Sequence, residues 1–195
     1  MKFLAQFNSP THRLAYGLAL LTLLLAALPE SIQDSLRFDR EAVLQGELWR
    51  LFSGHFLHLT WGHLLMNLGG LLLVIAFFTS CLPFRVWAIF IVLDALVISV
   101  VILMLDPDVH WYVGLSGILH GLFVLGGLAD TKVRPLEGWV FLGLIAAKLA
   151  WEQWQGALPG SAEMAGGDVL TEAHLYGALF AVAIWPWAKK WAGSS

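Results

Sequence analysis

The stretch Val113–Leu122, "VGLSGILHGL", places a serine and a histidine four residues apart in an otherwise apolar run, with Gly114, Gly117 and Gly121 around them. Four residues is just over one helical turn, so Ser116 and His120 share a face if the run is helical. The glycines strip side chains from that region and let another backbone approach closely. Polar groups in a hydrocarbon environment are costly and mark functional sites by default. What surrounds the stretch therefore decides how it is read.

The surroundings are apolar throughout. The chain has 195 residues, of which 58% are hydrophobic and 13% charged, and its mean hydropathy is +0.74. Soluble domains carry about 25% charged residues, so we expect an all-α integral membrane protein forming one domain over residues 1–195. A net charge of −3 leaves no basic surface for nucleic acid. The single Cys81 excludes an internal disulfide framework. No motif for a cofactor is present.

Six apolar segments have lengths that suit a bilayer, where roughly 17–25 residues span: Leu14–Leu28, His63–Phe78, Val86–Leu105, Val113–Ala129, Gly138–Trp154 and Val169–Ala188. Lys2 and Arg13 before the first segment would also suit a signal peptide, but no small-x-small cleavage site follows. With both termini cytoplasmic, seven basic residues (Lys2, Arg13, Arg85, Lys132, Arg134, Lys189, Lys190) fall inside and three (Arg37, Arg40, Arg50) outside. That asymmetry follows the positive-inside rule. Trp61, Trp87, Trp111, Trp139, Trp151 and Trp187 stand at segment ends, as an interfacial aromatic belt does. Residues 30–62 are too long for a plain connection and too mixed to span, which suits a structure lying in the outer interface.

The intramembrane polar residues are the candidates for chemistry. His174 lies about one and a half turns into the sixth segment and needs a partner. Gly117 and Gly121 form a small-x-x-x-small ridge in the fourth segment, and Gly177 and Ala181 form another in the sixth. Packing ridge on ridge brings the Ser116 hydroxyl to the His174 imidazole, a nucleophile with its general base. His63 and Asn67, spaced i and i+4, project from one face at the start of the second segment and are candidate oxyanion donors. Interhelical hydrogen bonding is the alternative for that pair. A zinc site is not supported, since His58, His63 and Asn67 have no carboxylate at ligand spacing and no HExxH is present. Asp94 and Lys148 are expected to be structural, with Lys148 reaching to the outer interface. No acid is apparent to orient His174: Glu172 faces elsewhere and Asp168 precedes the helix. A Ser–His dyad is expected.

The collected residues resemble the rhomboid intramembrane serine proteases over about residues 12–190. "GLSG" at 114–117 is similar to the family's nucleophile motif, and "AHLYG" at 173–177 to the motif carrying its base. "WR" at 49–50 resembles the signature of the family's first loop, and "HLTWGHLLMN" its His, His and Asn pattern. The resemblance implies a six-transmembrane-helix core with a long interfacial first loop. It makes Ser116 the nucleophile and His174 the base, with His63, Asn67 and the Ser116 N–H in the oxyanion hole and His58 stabilising the loop. The supporting residues it implies are Trp49, Arg50, Gly114, Gly117, Gly177 and His120; it implies no metal and no cofactor. Where the family often carries a tyrosine packed on the catalytic imidazole, this sequence has His120.

In that respect "GLSGILHG" is more similar to the rhombosortase branch, found in Gram-negative bacteria. That branch implies cleavage, at the inner membrane, of secreted proteins bearing a C-terminal Gly-Gly, helix and basic tail. The partners implied are a membrane-anchored protein with a C-terminal transmembrane tail and the lipid bilayer. The alternatives are a general rhomboid protease acting on single-span proteins, a non-catalytic rhomboid-like helix binder, and a small transporter using Asp94 and Lys148. The glycine-bearing loop 155–168 is either a lid or a plain connector.

Overall fold

The computed structural model describes residues 9–193, so Lys2 and the final Ser194–Ser195 lie outside the described residues. Six long helices dominate it. Helix α1 is Pro10–Ala26. The segment after it folds into short pieces: α2 (Glu30–Leu36), β1 (Phe38–Asp39), α3 (Arg40–Leu44), α4 (Arg50–Ser53) and a 3-10 turn (Gly54–Phe56). Helices α5 (Trp61–Phe78) and α6 (Phe84–Leu105) follow, then β2 (Trp111–Tyr112) and α7 (Ser116–Asp130). Helix α8 (Pro135–Gln155), the short α9 (Ser161–Ala165) and α10 (Thr171–Gly193) complete the chain. Among the described residues, α5 and α6 are long and apolar enough to cross a membrane by length and composition, and α7 is a shorter apolar helix.

The helix ends differ from the hydropathy boundaries for local reasons. Helix α1 begins four residues before its apolar run, because Pro10 occupies its first turn and the Ser9 side chain accepts the His12 N–H. Helix α5 begins at Trp61, where Thr60 caps it by accepting the His63 N–H at 3.1 Å. Helix α7 starts three residues later than the apolar run suggests. Gly114 has φ +130°, a conformation L side chains rarely adopt, and it turns the chain just before the helix.

The molecule is apolar outside and polar in places within. Leu65, Leu72, Leu144, Val182 and Trp154 are exposed, while Thr22, Asn67, Asp94, Ser99, His120, Glu152 and His174 are buried. A water-soluble fold arranges these classes the other way round; helices facing lipid tails have no reason to hide leucine. Gly117, in α7, lies against the Ala173 carbonyl of α10, and a Cβ added at Gly177 would meet the Gly117 carbonyl. Helices α7 and α10 thus cross at backbone distance.

The long first loop is anchored rather than loose. The Arg40 guanidinium donates to the carbonyls of Ile102, Leu103, Asp106 and Val109 at 2.7–2.9 Å, covering the open carbonyl end of α6. Strand β1 pairs antiparallel with β2, Phe38 opposite Tyr112 and Asp39 opposite Trp111. Arg50 is buried and donates to the Asp34 and Arg37 carbonyls, and it pairs with Glu47 at 2.6 Å. The Trp49 indole N–H donates to the Ser35 carbonyl at 3.1 Å. The "WR" pair therefore ties the loop to itself, away from Ser116.

Two histidines of this loop are buried: His55, bonded through Nε2 to the Ser99 hydroxyl at 2.8 Å, and His58, edge-on to His63. Burial pushes the His55 imidazole down to about 4. Burial, reinforced by the neighbouring His63, pushes His58 down to about 3. Because both values are depressed on folding, their contribution is fully present above the unfolded value near 6.5 and is lost as pH falls towards 4 and 3. At pH 5 each histidine costs about 2 kcal/mol relative to pH 7.5. The thermal midpoint in detergent is expected to fall over that interval, and to fall less in His58→Phe. A midpoint that is flat from pH 7.5 to 5 would contradict this account.

Candidate active site

Ser116 is the first residue of α7, so its backbone N–H has no intrahelical carbonyl to meet and sits at the positive end of the helix. The turn that delivers it is held on several sides. The Gly114 N–H donates to the Gly54 carbonyl at 3.2 Å, and the buried Tyr112 hydroxyl donates to the Gly114 carbonyl at 2.8 Å. A side chain at Gly114 would stand about 3.0 Å from the His63 ring, so glycine is required there for space as well as for φ.

The glycine crossing of α7 and α10 sets Ser116 Oγ 2.9 Å from His174 Nε2. The other ring nitrogen, His174 Nδ1, is 3.0 Å from Glu152 Oε2 of α8. The second carboxylate oxygen, Glu152 Oε1, is 2.6 Å from Lys148 Nζ, one turn earlier on the same helix. The expectation that no acid faces His174 therefore fails, and Lys148, expected to be structural, pairs with that acid. Glu152 stands on α8 and His174 on α10, which is why spacing within one segment did not expose their contact. Its signal was a Lys-x-x-x-Glu pair on one face of the otherwise apolar 138–154 segment.

His120 stacks on His174, with ring centroids 4.1 Å apart and planes inclined by 18°. Its Nδ1 donates to the Ser116 carbonyl at 2.7 Å, which leaves Nε2 without a partner among the described residues. His120, Glu152 and His174 bring their donor atoms within 4.8 Å of one another, as a metal site would. The stacked rings, however, hold their lone pairs in near-parallel planes that do not converge on one point. Both nitrogens of His174 are engaged, by Ser116 and by Glu152.

Two cavities meet at Ser116. One, of about 500 Å³, lies between residues 108–113 and 165–170 and is lined by His63, Ser116, Asp108, His110 and Asp168 among others. The second, of about 260 Å³, is lined by His63, Asn67, Ser116, His120, Glu152 and His174 together with Met66, Leu119, Phe123 and Leu158. His63 thus borders both. Asn67 is buried and donates one amide N–H back to the His63 carbonyl at 3.1 Å. His58 packs edge-on to the His63 ring, 4.9 Å between centroids. Asp94 lines neither cavity; it is buried against Gly121 and Gly177, with no partner for its oxygens among the described residues. Lys148 lines the smaller cavity, so neither of these two cavities joins Asp94 to Lys148.

A family model described as the Rhomboid domain matches residues 45–189. The chain belongs to the rhomboid family. No curated protein matches it. Rhomboids are integral membrane proteins and intramembrane serine proteases that act on membrane-protein substrates within the bilayer. In this rhomboid the loop 155–168 contains α9, and the Thr60 hydroxyl at the start of α5 donates to the Met164 and Ala165 carbonyls at 3.0 and 3.1 Å. The segment over the two cavities is thereby tethered to the helix that carries His63 and Asn67.

The crossing also yields a test. Gly177→Val would drive a side chain into the Gly117 backbone, which has no freedom to rotate away, and so would part α7 from α10. Reaction of Ser116 with a fluorophosphonate is expected to drop to background in that variant. Gly143→Ala, where an added Cβ meets nothing within 4 Å, should react like the parent protein. Parent-like labelling of Gly177→Val would show that the close crossing is not what unites the pair.

Proposed function

We propose that this rhomboid is a six-span serine endopeptidase of the bacterial inner membrane, with both termini cytoplasmic, in which Ser116 is the nucleophile and His174 its general base. The observation that carries the reading is the 2.9 Å contact between Ser116 Oγ and His174 Nε2, within the 2.6–3.2 Å range for such a pair. Ser116 Oγ attacks the peptide carbonyl while His174 takes its proton. The oxyanion that forms is held by the Ser116 N–H, His63 and Asn67, each donor contributing a few kcal/mol, as in soluble sites. Collapse breaks the C–N bond as His174 returns the proton to the leaving amine. Water, deprotonated by His174, then releases the acyl group from Ser116.

The cavities support the assignment. Asp108, His110 and Asp168 place polar groups at the larger one, which suits water and an extended backbone, while Met66, Leu119, Phe123 and Leu158 give the smaller one apolar walls that suit a side chain. A non-catalytic binder is disfavoured, because it has no use for a serine bonded to a histidine. As substrate we propose a membrane-anchored protein with a C-terminal Gly-Gly, helix and basic tail, cut near the outer face. The support is the "GLSGILHG" stretch, with His120 stacked where the family often has tyrosine.

Fluorophosphonate labelling of the purified protein tests the chemistry: the parent protein labels, and Ser116→Ala and His174→Ala do not. Labelling that persists in Ser116→Ala would end the protease reading. Co-expression with two reporters tests the substrate. One reporter bears the Gly-Gly, helix and basic tail and the other an ordinary single-span helix; only the first is expected to be cut, and equal cutting of both would return this chain to the general rhomboid proteases. Replacing His63 or Asn67 by Ala is expected to slow cleavage by roughly 10²-fold, with labelling of Ser116 the check on folding.

A further inference from the structure

Resting on the reading of Ser116 as nucleophile and His174 as base, we infer that Glu152 is a positioning residue for His174, held in turn by Lys148, so that this rhomboid works with a carboxylate–imidazole–hydroxyl triad rather than a dyad. Four groups from three helices stand in one line of contacts: Ser116 Oγ to His174 Nε2 at 2.9 Å, His174 Nδ1 to Glu152 Oε2 at 3.0 Å, and Glu152 Oε1 to Lys148 Nζ at 2.6 Å.

The directions of these contacts are forced. A carboxylate only accepts, so the His174 proton sits on Nδ1 and the Nε2 lone pair faces the Ser116 hydroxyl. That is the tautomer a general base needs. When Ser116 gives up its proton, His174 becomes a cation in a region poor in water, and the charge of Glu152 lies 3.0 Å away to stabilise it. Lys148 compensates that carboxylate while the site is idle, which is how a buried acid is tolerated between helices. Because the two carboxylate oxygens go to different partners, the carboxylate plane cannot swing without breaking one bond. The Gln153 side chain donates to the Thr171 carbonyl at 3.3 Å, which ties the end of α8 to the start of α10 and keeps Glu152 in register with His174.

A merely structural Lys148–Glu152 pair is the competing account, and it makes different predictions. Glu152→Gln keeps the shape and one acceptor but removes the charge. It is expected to lower turnover per folded molecule of a cleavable membrane substrate by roughly 10²–10⁴-fold while KM stays at the parent value. Lys148→Met is expected to cost about tenfold and Lys148→Arg to restore most of that loss. A structural pair would instead move the midpoint and leave turnover per folded molecule intact.

The comparison includes Ser116→Ala and His174→Ala. If these are inactive and Glu152→Gln turns over within threefold of the parent, the positioning role is overturned and the protease reading stands; if Ser116→Ala cleaves, both fall. Should Glu152→Gln fail to fold, proton NMR of the unmodified protein in micelles decides. A far-downfield imidazole proton, absent from His174→Ala, marks the Nδ1–H bond to a carboxylate, and its absence from the parent spectrum overturns the proposal.

Discussion

The site depends on two backbones touching. Helices α7 and α10 meet where Gly117 faces Gly177, and no side chain separates them. In lipid the hydrophobic effect does not press helices together, so close packing and interhelical hydrogen bonds must do it. The crossing supplies the first and makes the second available. Ser116 stands one residue before Gly117, and His174 three before Gly177. Their backbones are held close while the glycines are in contact. Even Ala181, a full turn further along α10, is fully buried, which extends the small-residue seam away from the reacting groups.

The crossing alone would leave the ring of His174 free to rotate and the start of α7 free to fray, and three other elements remove those freedoms. The His120 ring lies flat on one face of the imidazole, and its Nδ1–H holds the Ser116 carbonyl. The side chain of Glu152 reaches the nitrogen that Ser116 does not. The β1–β2 pair and the Gly54–Gly114 hydrogen bond fix the turn that begins α7, and Arg40 secures the same loop to the end of α6. The first loop thus acts on the serine through the backbone before it.

How legible this was in the sequence depends on whether the signal was local. The ridges of small residues are periodic within single helices, so the meeting of Ser116 and His174 was readable from each segment alone. The helix starts were misread wherever a cap or a glycine outweighed hydropathy: Ser9 and Pro10 lengthen α1, and Gly114 shortens α7. Glu152 was missed because its partner is on another helix and its own neighbour, Lys148, invited a surface reading. Spacing places residues on one face of a helix; it does not say what faces them. Lys148 and His120 show the same limit, since only the packing of α8 and α10 against α7 determines that one meets a carboxylate and the other an imidazole.

Peptide hydrolysis inside a bilayer demands two conditions that conflict: charge must be held without water, and water must still arrive. The charged pair Lys148–Glu152 answers the first, because a cation and an anion 2.6 Å apart present little net field to the lipid while leaving one carboxylate oxygen for His174. The second is answered by geometry, since the larger cavity, which carries Asp108, His110 and Asp168, reaches Ser116 from the loop side and the smaller one from between the helices. Only residues where the two meet see both environments, and Ser116 and His63 are among them. On the proposed chemistry, a nucleophile placed deeper would lack water, and one placed further out would lack the dry surroundings in which the proposed oxyanion donors and Glu152 act most strongly. Starting α7 at Ser116, rather than where its apolar run begins, puts the hydroxyl at that boundary.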